Sequence, residues 1–410
     1  MPYLQFKQEE IEEKGGLHTA REIEGQPVLW QEVYNLILSQ KLCIQKFLSP
    51  LRANADMRII LTGAGSSAFI GEASQGIVQA NTQRITQAIA TTDLITHPQL
   101  HFLKEMPTLL VSFARSGNSP ESLAAAKLAD EYCDNVLHFV ITCNKDGKLV
   151  QNHLPNAYHL ILPERANDKS LAMTGSFTAM LLSVILISKI DLLETLEPAL
   201  KVLINEGRDL IGRHLPRIKA ISEQPYERVI FLGSGPLLGV ARECHLKLQE
   251  LTDGKVICKH DSFLGFRHGP RAVINEGSLI VYLFSGDEHV LLYERDLCLS
   301  IDADARNIPT ISCNHYIENL KNSVLDVTFS EPAGSSNELA FINATLVGQL
   351  LGFFHSIYLG LQPDNPSVSG SISRVVQGVT IYPDPATCLA DSRVSSWCNK
   401  HSEEQTCKVL

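Results

Sequence analysis

The segment Arg58-Ile-Ile-Leu-Thr-Gly-Ala-Gly65 returns 170 positions later as Arg228-Val-Ile-Phe-Leu-Gly-Ser-Gly235, and no other feature narrows the possible folds as much. In each copy an apolar run of strand length ends in a glycine turn and enters a helical pattern. A second pair keeps nearly the same offset, because Thr108 to Gly117 is echoed by Ser278-Leu-Ile-Val-Tyr-Leu-Phe-Ser-Gly286. Apolar runs of four to six residues alternating with helical patterns imply parallel sheets covered on both faces. The expected fold is α/β, a tandem duplication in which each half is a doubly wound parallel sheet flanked by helices.

Residues 27 to 48 carry apolar positions at helical spacing (Val28, Val33, Leu36, Ile37, Ile44, Phe47, Leu48), with Pro27 suited to a first turn. The expected organisation is a helical lead-in at 1–50, a first domain at 51–215, a second at 216–386 and a polar tail at 387–410. The division falls in the segment Asp191 to Pro225. The strongest apolar run, Phe177 to Ile190, is shorter than the ~20 residues needed to cross a bilayer and reads as a buried core helix.

A composition of 44% hydrophobic and 20% charged residues fits a globular chain. The net charge is −10 and no cluster of Lys and Arg could neutralise a run of phosphates, so nucleic acid is not an expected partner. The acidic start, Met1 to Glu13, lacks the basic-then-apolar order of a signal peptide, which places the protein in the cytoplasm with no membrane partner. Ten cysteines, from Cys43 to Cys407, show no Cys-x-x-Cys pair and no His partner at zinc-finger spacing. Free thiols and no metal are expected.

A short loop that leaves a parallel strand and enters a helix aims backbone N–H groups and the positive end of the helix dipole at one spot, which favours an anion. Gly63 and Gly65 allow the tight turn, while Ser66, Ser67, Ser116 and Ser119 add hydroxyl donors that suit a phosphate monoester. Arg115 lies beside them and Asn118 within the same loop. Any one of these serines could be an ordinary N-cap. Two Ser-rich loops at neighbouring strand ends, however, share one crevice in a doubly wound sheet and can serve one ligand. The repeats diverge at this place, since Ser66 and Ser67 become Pro236 and Leu237 in the second copy.

In the second half Glu243, Lys247 and Glu250 are spaced i, i+4, i+7 and project from one helix face. A solvated stripe of ion pairs is the plain reading of such a triplet. Downstream, His268 stands beside Gly-Pro in the loop Asp261-Ser-Phe-Leu-Gly-Phe-Arg-His-Gly-Pro270. A carboxylate, an ammonium and an imidazole brought to one cleft would supply a base for a carbon acid, a cation for a developing oxyanion and a proton shuttle.

Gly-Ala-Gly-Ser-Ser, Ser-Phe-Ala-Arg-Ser-Gly-Asn-Ser-Pro-Glu-Ser, the Glu-x-x-x-Lys-x-x-Glu helix and His-Gly-Pro occur here in the order of the sugar isomerase (SIS) superfamily. The chain resembles the isomerase half of glucosamine-6-phosphate synthase. More closely it resembles the AgaS family, through Leu-Thr-Gly-Ala-Gly-Ser-Ser-Ala-Phe-Ile-Gly, Phe-Arg-His-Gly-Pro and Arg374-Val-Val-Gln-Gly-Val. The resemblance covers roughly residues 20 to 385. It implies tandem SIS domains and a cofactor-independent, deaminating isomerisation of galactosamine 6-phosphate to tagatose 6-phosphate and ammonia. Glu250 then resembles the base that moves a proton between C2 and C1, Lys247 the cation that polarises the sugar oxygens, and His268 the ring-opening group.

The resemblance further implies a homodimer or a dimer of dimers, because the synthase histidine corresponding to His268 reaches the neighbouring subunit's sugar. The synthase tail brings a lysine to the sugar, whereas Ser369-Gly-Ser-Ile-Ser-Arg374 stands here, so no tail contribution is expected. Without the synthase's N-terminal cysteine and glutaminase domain, the reaction is expected to run toward ammonia release. Three other readings remain. Glucosamine 6-phosphate differs from the galacto sugar at C4, on which no motif reports. SIS modules also serve as non-catalytic sugar-phosphate sensors. Finally, Gly63-x-Gly65-x-x-Ala68 suggests a dinucleotide oxidoreductase, but no acidic residue stands about 20 positions on, and Asp93 comes later.

Overall fold

A computed structural model describes residues 3–152, 154–314, 320–328, 339–376 and 378–383. The expected tail at 387–410 lies outside them. The first half contributes β1 (Arg58–Thr62), β2 (Thr86–Ala88), β3 (Thr108–Ala114), β4 (Val136–Thr142) and β5 (Ala157–Ile161). The second contributes β6 (Arg228–Gly233), β7 (Ile257–Asp261), β8 (Ser278–Leu283), β9 (Thr310–Asn314) and β10 (Ser323–Thr328).

The sheet orders, β2-β1-β3-β4-β5 and β10-β9-β8-β6-β7, are the same order relative to each half's own start, and the strand pairings are parallel. Even the register repeats, with Arg58 opposite Thr108 in one half and Arg228 opposite Ser278 in the other. β1 and β3 are buried along their whole length, which is why they read as unbroken apolar runs. In this strand order the chain reverses direction across the sheet between β1 and β3, and again between β6 and β8. Ligands bind outside the carboxyl ends of strands at such a switch point.

The glycine turns follow from local sterics. Gly65 and Gly235, each at φ 56°, adopt a conformation that side chains disfavour. A Cβ on Gly63 would lie 2.6 Å from the Ser67 backbone, and one on Gly233 would lie 2.3 Å from the Leu237 carbonyl.

The halves meet through helices Ser66–Thr82 and Pro236–Leu251, which pack on one another. They approach so closely that a Cβ on Gly239 would lie 2.4 Å from the Ala73 nitrogen. Helix Gly175–Ser188 is buried from Gly175 to Ile187 and packs against Ser66–Thr82, so the expected core helix is found. The stretch Ala340–Tyr358 is also long and apolar enough to cross a bilayer, but 94% of its most apolar window is buried within the fold. It packs along Pro236–Leu251. A single apolar cluster runs from Leu61 and Phe139 through Leu182 to Val281 and Phe353, so both halves share one core.

The lead-in is helical at Gln26–Ser39 and Lys41–Phe47. A buried hydrogen-bond ladder fastens it: Trp30 Nε1 donates to Thr178 Oγ1 (3.0 Å), Thr178 to Gln26 Oε1 (2.8 Å), and Gln26 Nε2 to Gln349 Oε1 (2.6 Å).

Candidate active site

The loops after β1 and β3 open onto one pocket lined by Ser67, Ser116, Ser119, Glu121 and Ser122, with Met173 and the segment Arg374–Val376 completing the wall. The Ser67 hydroxyl is buried and lies 3.8 Å from the Met173 sulfur. Ser119 is also the N-cap of helix Pro120–Tyr132, accepting the Ser122 N–H at 3.3 Å. Glu121, in the first turn of that helix, is buried, and its Oε2 has no hydrogen-bond partner among the described residues.

Three of the expected donors are placed differently. The Ser66 hydroxyl turns away from this pocket and donates to Glu243 Oε1 of the other half at 3.1 Å. Asn118 is exposed, and its Oδ1 accepts the Lys148 N–H at 3.0 Å, so it pins the loop. The Arg115 guanidinium lines the pocket, and three of its five N–H groups are taken by carbonyls, those of Ser170 (3.2 Å), Leu171 (3.0 Å) and Arg374 (2.6 Å). Its burial lowers its pKa, partly offset by Asp168. Loop spacing predicts proximity to an anion, but it does not say which hydrogen bonds a long side chain has already made.

Across the crevice, Glu243, Lys247 and Glu250 do lie on one face of Pro236–Leu251, yet that face is not solvated. Glu243 is 0% and Lys247 1% exposed. Lys247 Nζ stands 2.5 Å from Glu250 Oε2 and 3.5 Å from Glu243 Oε1. The stripe is buried because its helix faces Ser66–Thr82 of the first half, a partner invisible to local periodicity. Burial pushes the Glu243 carboxyl up to about 7 despite Lys247 beside it. Burial alone would lower Lys247, but the two carboxylates outweigh it and hold the ammonium above its ordinary value. Ser66, at the start of the first half's helix, donates to Glu243 beside Lys247, so the charged helix meets the residue next to the serine pocket.

The C-terminal segment also reaches the pocket. Arg374 donates from Nε to the Asp168 carbonyl (2.8 Å) and from Nη2 to Asn167 Oδ1 (2.8 Å), which lays Val375 and Val376 against the serine pocket. Residues 374–376 thus wall the pocket, and among the described residues no lysine lines it. The sequence signal for this segment was the Arg-Val-Val motif, which spacing rules do not interpret. Asp168 in turn caps helix Gly175–Ser188, accepting the N–H groups of Gly175 (3.1 Å) and Ser176 (2.9 Å).

His268 is not part of this cluster. It is exposed on the loop after helix Phe263–Phe266, where its N–H donates to the Gly265 carbonyl at 3.0 Å. Among the described residues no group of three or more His, Cys, Asp or Glu is arranged to hold a metal ion. A separate cavity under the first sheet, lined by Leu61, Val111 and Phe139, is apolar and has its charged groups, Arg52, Arg84 and Asp191, as surface residues of its lining. The buried ion pairs lie instead on helix Pro236–Leu251, where it meets the first half.

A profile of the SIS domain matches residues 53–188. A protein of Shewanella sp. strain ANA-3 named D-galactosamine-6-phosphate deaminase AgaS is 37% identical over 386 residues, covering 93% of this chain and 95% of its own length. Among solved structures, a protein of Clostridium novyi NT superposes with a TM-score of 0.90 at 37% identity, covering 94% of this chain and 100% of the other. The tagatose-6-phosphate ketose/aldose isomerase of Escherichia coli superposes with a TM-score of 0.82 at 31% identity, covering 90% of this chain and 97% of the other.

Proposed function

Since the chain belongs to the AgaS family of SIS-domain proteins, we propose that it releases ammonia from galactosamine 6-phosphate and forms tagatose 6-phosphate. The observation that carries this reading is a buried ammonium, Lys247, set between two carboxylates, one of which takes the hydroxyl of Ser66 next to the serine-lined pocket. The phosphate sits among Ser67, Ser116 and Ser119 at the helix N-termini. Its sugar extends toward Lys247 and Glu250.

The chemistry balances without an outside electron carrier. After ring opening, Glu250 removes the proton from C2 and returns it to C1, so that C1 is reduced as C2 is oxidised. The resulting C2 ketimine takes up water and expels ammonia, leaving the ketone. Lys247 stabilises the charge that gathers on O1 at the enolamine stage. Glu121, with one unpaired buried oxygen, accepts a hydroxyl of the bound ligand.

His268 opens the ring in the neighbouring subunit's site, so the active unit is at least a dimer. Its exposure, away from Lys247 and Glu250 of its own chain, supports this assignment. The same reading puts the enzyme in the cytoplasm, where charge retains a phosphorylated sugar. One assay tests the substrate, namely ammonia release from galactosamine 6-phosphate beside glucosamine 6-phosphate. Faster turnover of the gluco epimer would reassign it. Mixed Glu250→Gln and His268→Ala subunits are expected to regain activity on exchange. Verified exchange without recovery would place His268 outside the partner's site.

A further inference from the structure

None of the steps above uses Glu243, although it is fully buried and lies between the two halves of the site. Its Oε1 takes the Ser66 hydroxyl (3.1 Å) and the Lys247 ammonium (3.5 Å), and its Oε2 has no partner among the described residues. Burying a carboxylate so incompletely satisfied is costly, and a neutral or apolar residue would fit the same helix face with less penalty. The contact it makes is specific. Ser66 opens helix Ser66–Thr82 and is the immediate neighbour of Ser67, which lines the phosphate pocket.

We infer that Glu243 is a positioning residue that couples occupancy of the serine pocket to the Lys247–Glu250 pair, with Ser66 as the link. The inference rests on the proposed reading of Glu250 as the base. Lys247 Nζ sits 2.5 Å from Glu250 Oε2, so the ammonium occupies a carboxylate oxygen that would take the C2 proton. Glu243, at 3.5 Å, is the alternative partner for the same ammonium. A hydroxyl has one proton to donate. When a phosphate arrives beside Ser67, it draws the Ser66 hydroxyl round from Glu243 toward the pocket. Glu243 then loses that donor and draws Lys247 toward itself, which releases Glu250. The phosphate, held by Ser67 and Ser116 and remote from the reacting carbons, thereby arms the base through Ser66 once it is bound.

The test is a double-mutant cycle on Ser66→Ala and Glu243→Gln. Each single change is expected to lower kcat on galactosamine 6-phosphate by about tenfold or more, the effect of one charged hydrogen bond. KM should move by less than about threefold. The double variant should lose no more than the worse single. A Ser66→Ala enzyme with raised KM and unchanged kcat would make Ser66 a plain phosphate ligand and overturn the coupling. So would losses that multiply in the double variant.

A second measurement does not need the reaction. Adding inorganic phosphate to the parent should shift a carboxyl stretching band in the infrared difference spectrum, and the shift should be missing in both single variants. The same band change in parent and Glu243→Gln would overturn the inference. If Glu243→Gln does not fold, Ser66→Ala carries both arms. A parent that shows the phosphate-dependent band but releases no ammonia from the sugar would remove the proposed function and leave the coupling standing.

Discussion

The loops that leave β1 and β6 bend alike, with Gly65 and Gly235 at the same φ of 56°, but they present different chemistry. Ser66 and Ser67 in one are Pro236 and Leu237 in the other. The loops after β3 and β8 diverge further. In the second half Glu294, fully buried on helix Glu288–Asp302, accepts the Ser285 N–H at 2.9 Å. The chain's own carboxylate thus fills the position where an anion would bind at the end of β8. In the first half the pocket lies open beneath Val375 and Val376. The helices differ in the opposite sense, since Glu243, Lys247 and Glu250 belong to the second half's helix and face the first half. Duplication therefore supplies two scaffolds and one crevice. On the proposed reading one half offers an anion site, while the other fills its own with Glu294 and lends the charged helix.

The sharpest way to break this division is Glu250→Gln, which keeps shape and removes basicity. A positioned general base commonly contributes about 10²- to 10⁴-fold. Turnover should fall by that order while sugar-phosphate binding, measured by calorimetry, survives because it belongs to the other half. If Glu250 merely paired with the buried Lys247 ammonium, the change would cost stability, up to about 3–5 kcal/mol, and leave turnover of the folded enzyme near normal. Ammonia release near the parent rate would assign the base elsewhere.

The complementary change removes the donors of the first half. Ser67→Ala with Ser116→Ala should raise KM by about 10- to 100-fold, the range expected for hydrogen bonds to a charged group. kcat at saturation should hold within a few fold. The two variants together form the comparison: one loses rate, the other affinity. An unchanged KM would remove the phosphate from this pocket, and a fall in kcat without a change in KM would mean that the halves do not divide the work.

Much of the scaffold was legible because parallel strands announce themselves locally. Arg58–Thr62 is found as read, and the repeated segment that opens at Thr108 forms a strand as far as Ala114. The short pairing strand β2 (Thr86–Ala88) carried no comparable apolar run. Within the site, the helical spacing of Glu243, Lys247 and Glu250 was visible, but their burial was not. It depends on Gly239 admitting the first half's helix to backbone contact at Ala73. Long side chains were the least legible. Arg115 spends three of its donors on carbonyls, one of them from Arg374, a residue 259 positions away. No local pattern encodes such a contact.

The smallest expected effect concerns how each half buries a carboxyl group against a loop. In the second half that group is Glu294. In the first it is Glu22 of helix Leu17–Glu24, which accepts the N–H groups of Lys169 (2.5 Å) and Ser170 (3.3 Å) and the Ser170 hydroxyl. This is the loop whose carbonyls hold Arg115 and Arg374. Burial, with Asp168 nearby, pushes Glu22 up to about 8. An unfolded glutamate titrates near ~4.3, so the folded chain holds a proton that the unfolded chain has released. The stability this contributes is fully present below that lower value and is lost as pH rises through about 8. Glu243 and Glu294 add slopes of the same sign. The half-buried His214, His245 and His260 and the buried His355, all lowered, add the opposite one. The informative quantity is therefore the difference between parent and Glu22→Gln, in which the histidine contribution cancels. The introduced amide would still accept the two N–H groups and could donate to the Ser170 hydroxyl, so the variant removes the titration while keeping the hydrogen bonds. Melting temperatures at pH 5, 6, 7 and 8 should show the parent losing ground to the variant by on the order of a few degrees across the series. Curves that stay parallel to within about 1 °C would mean that Glu22 titrates alike in the folded and unfolded chains.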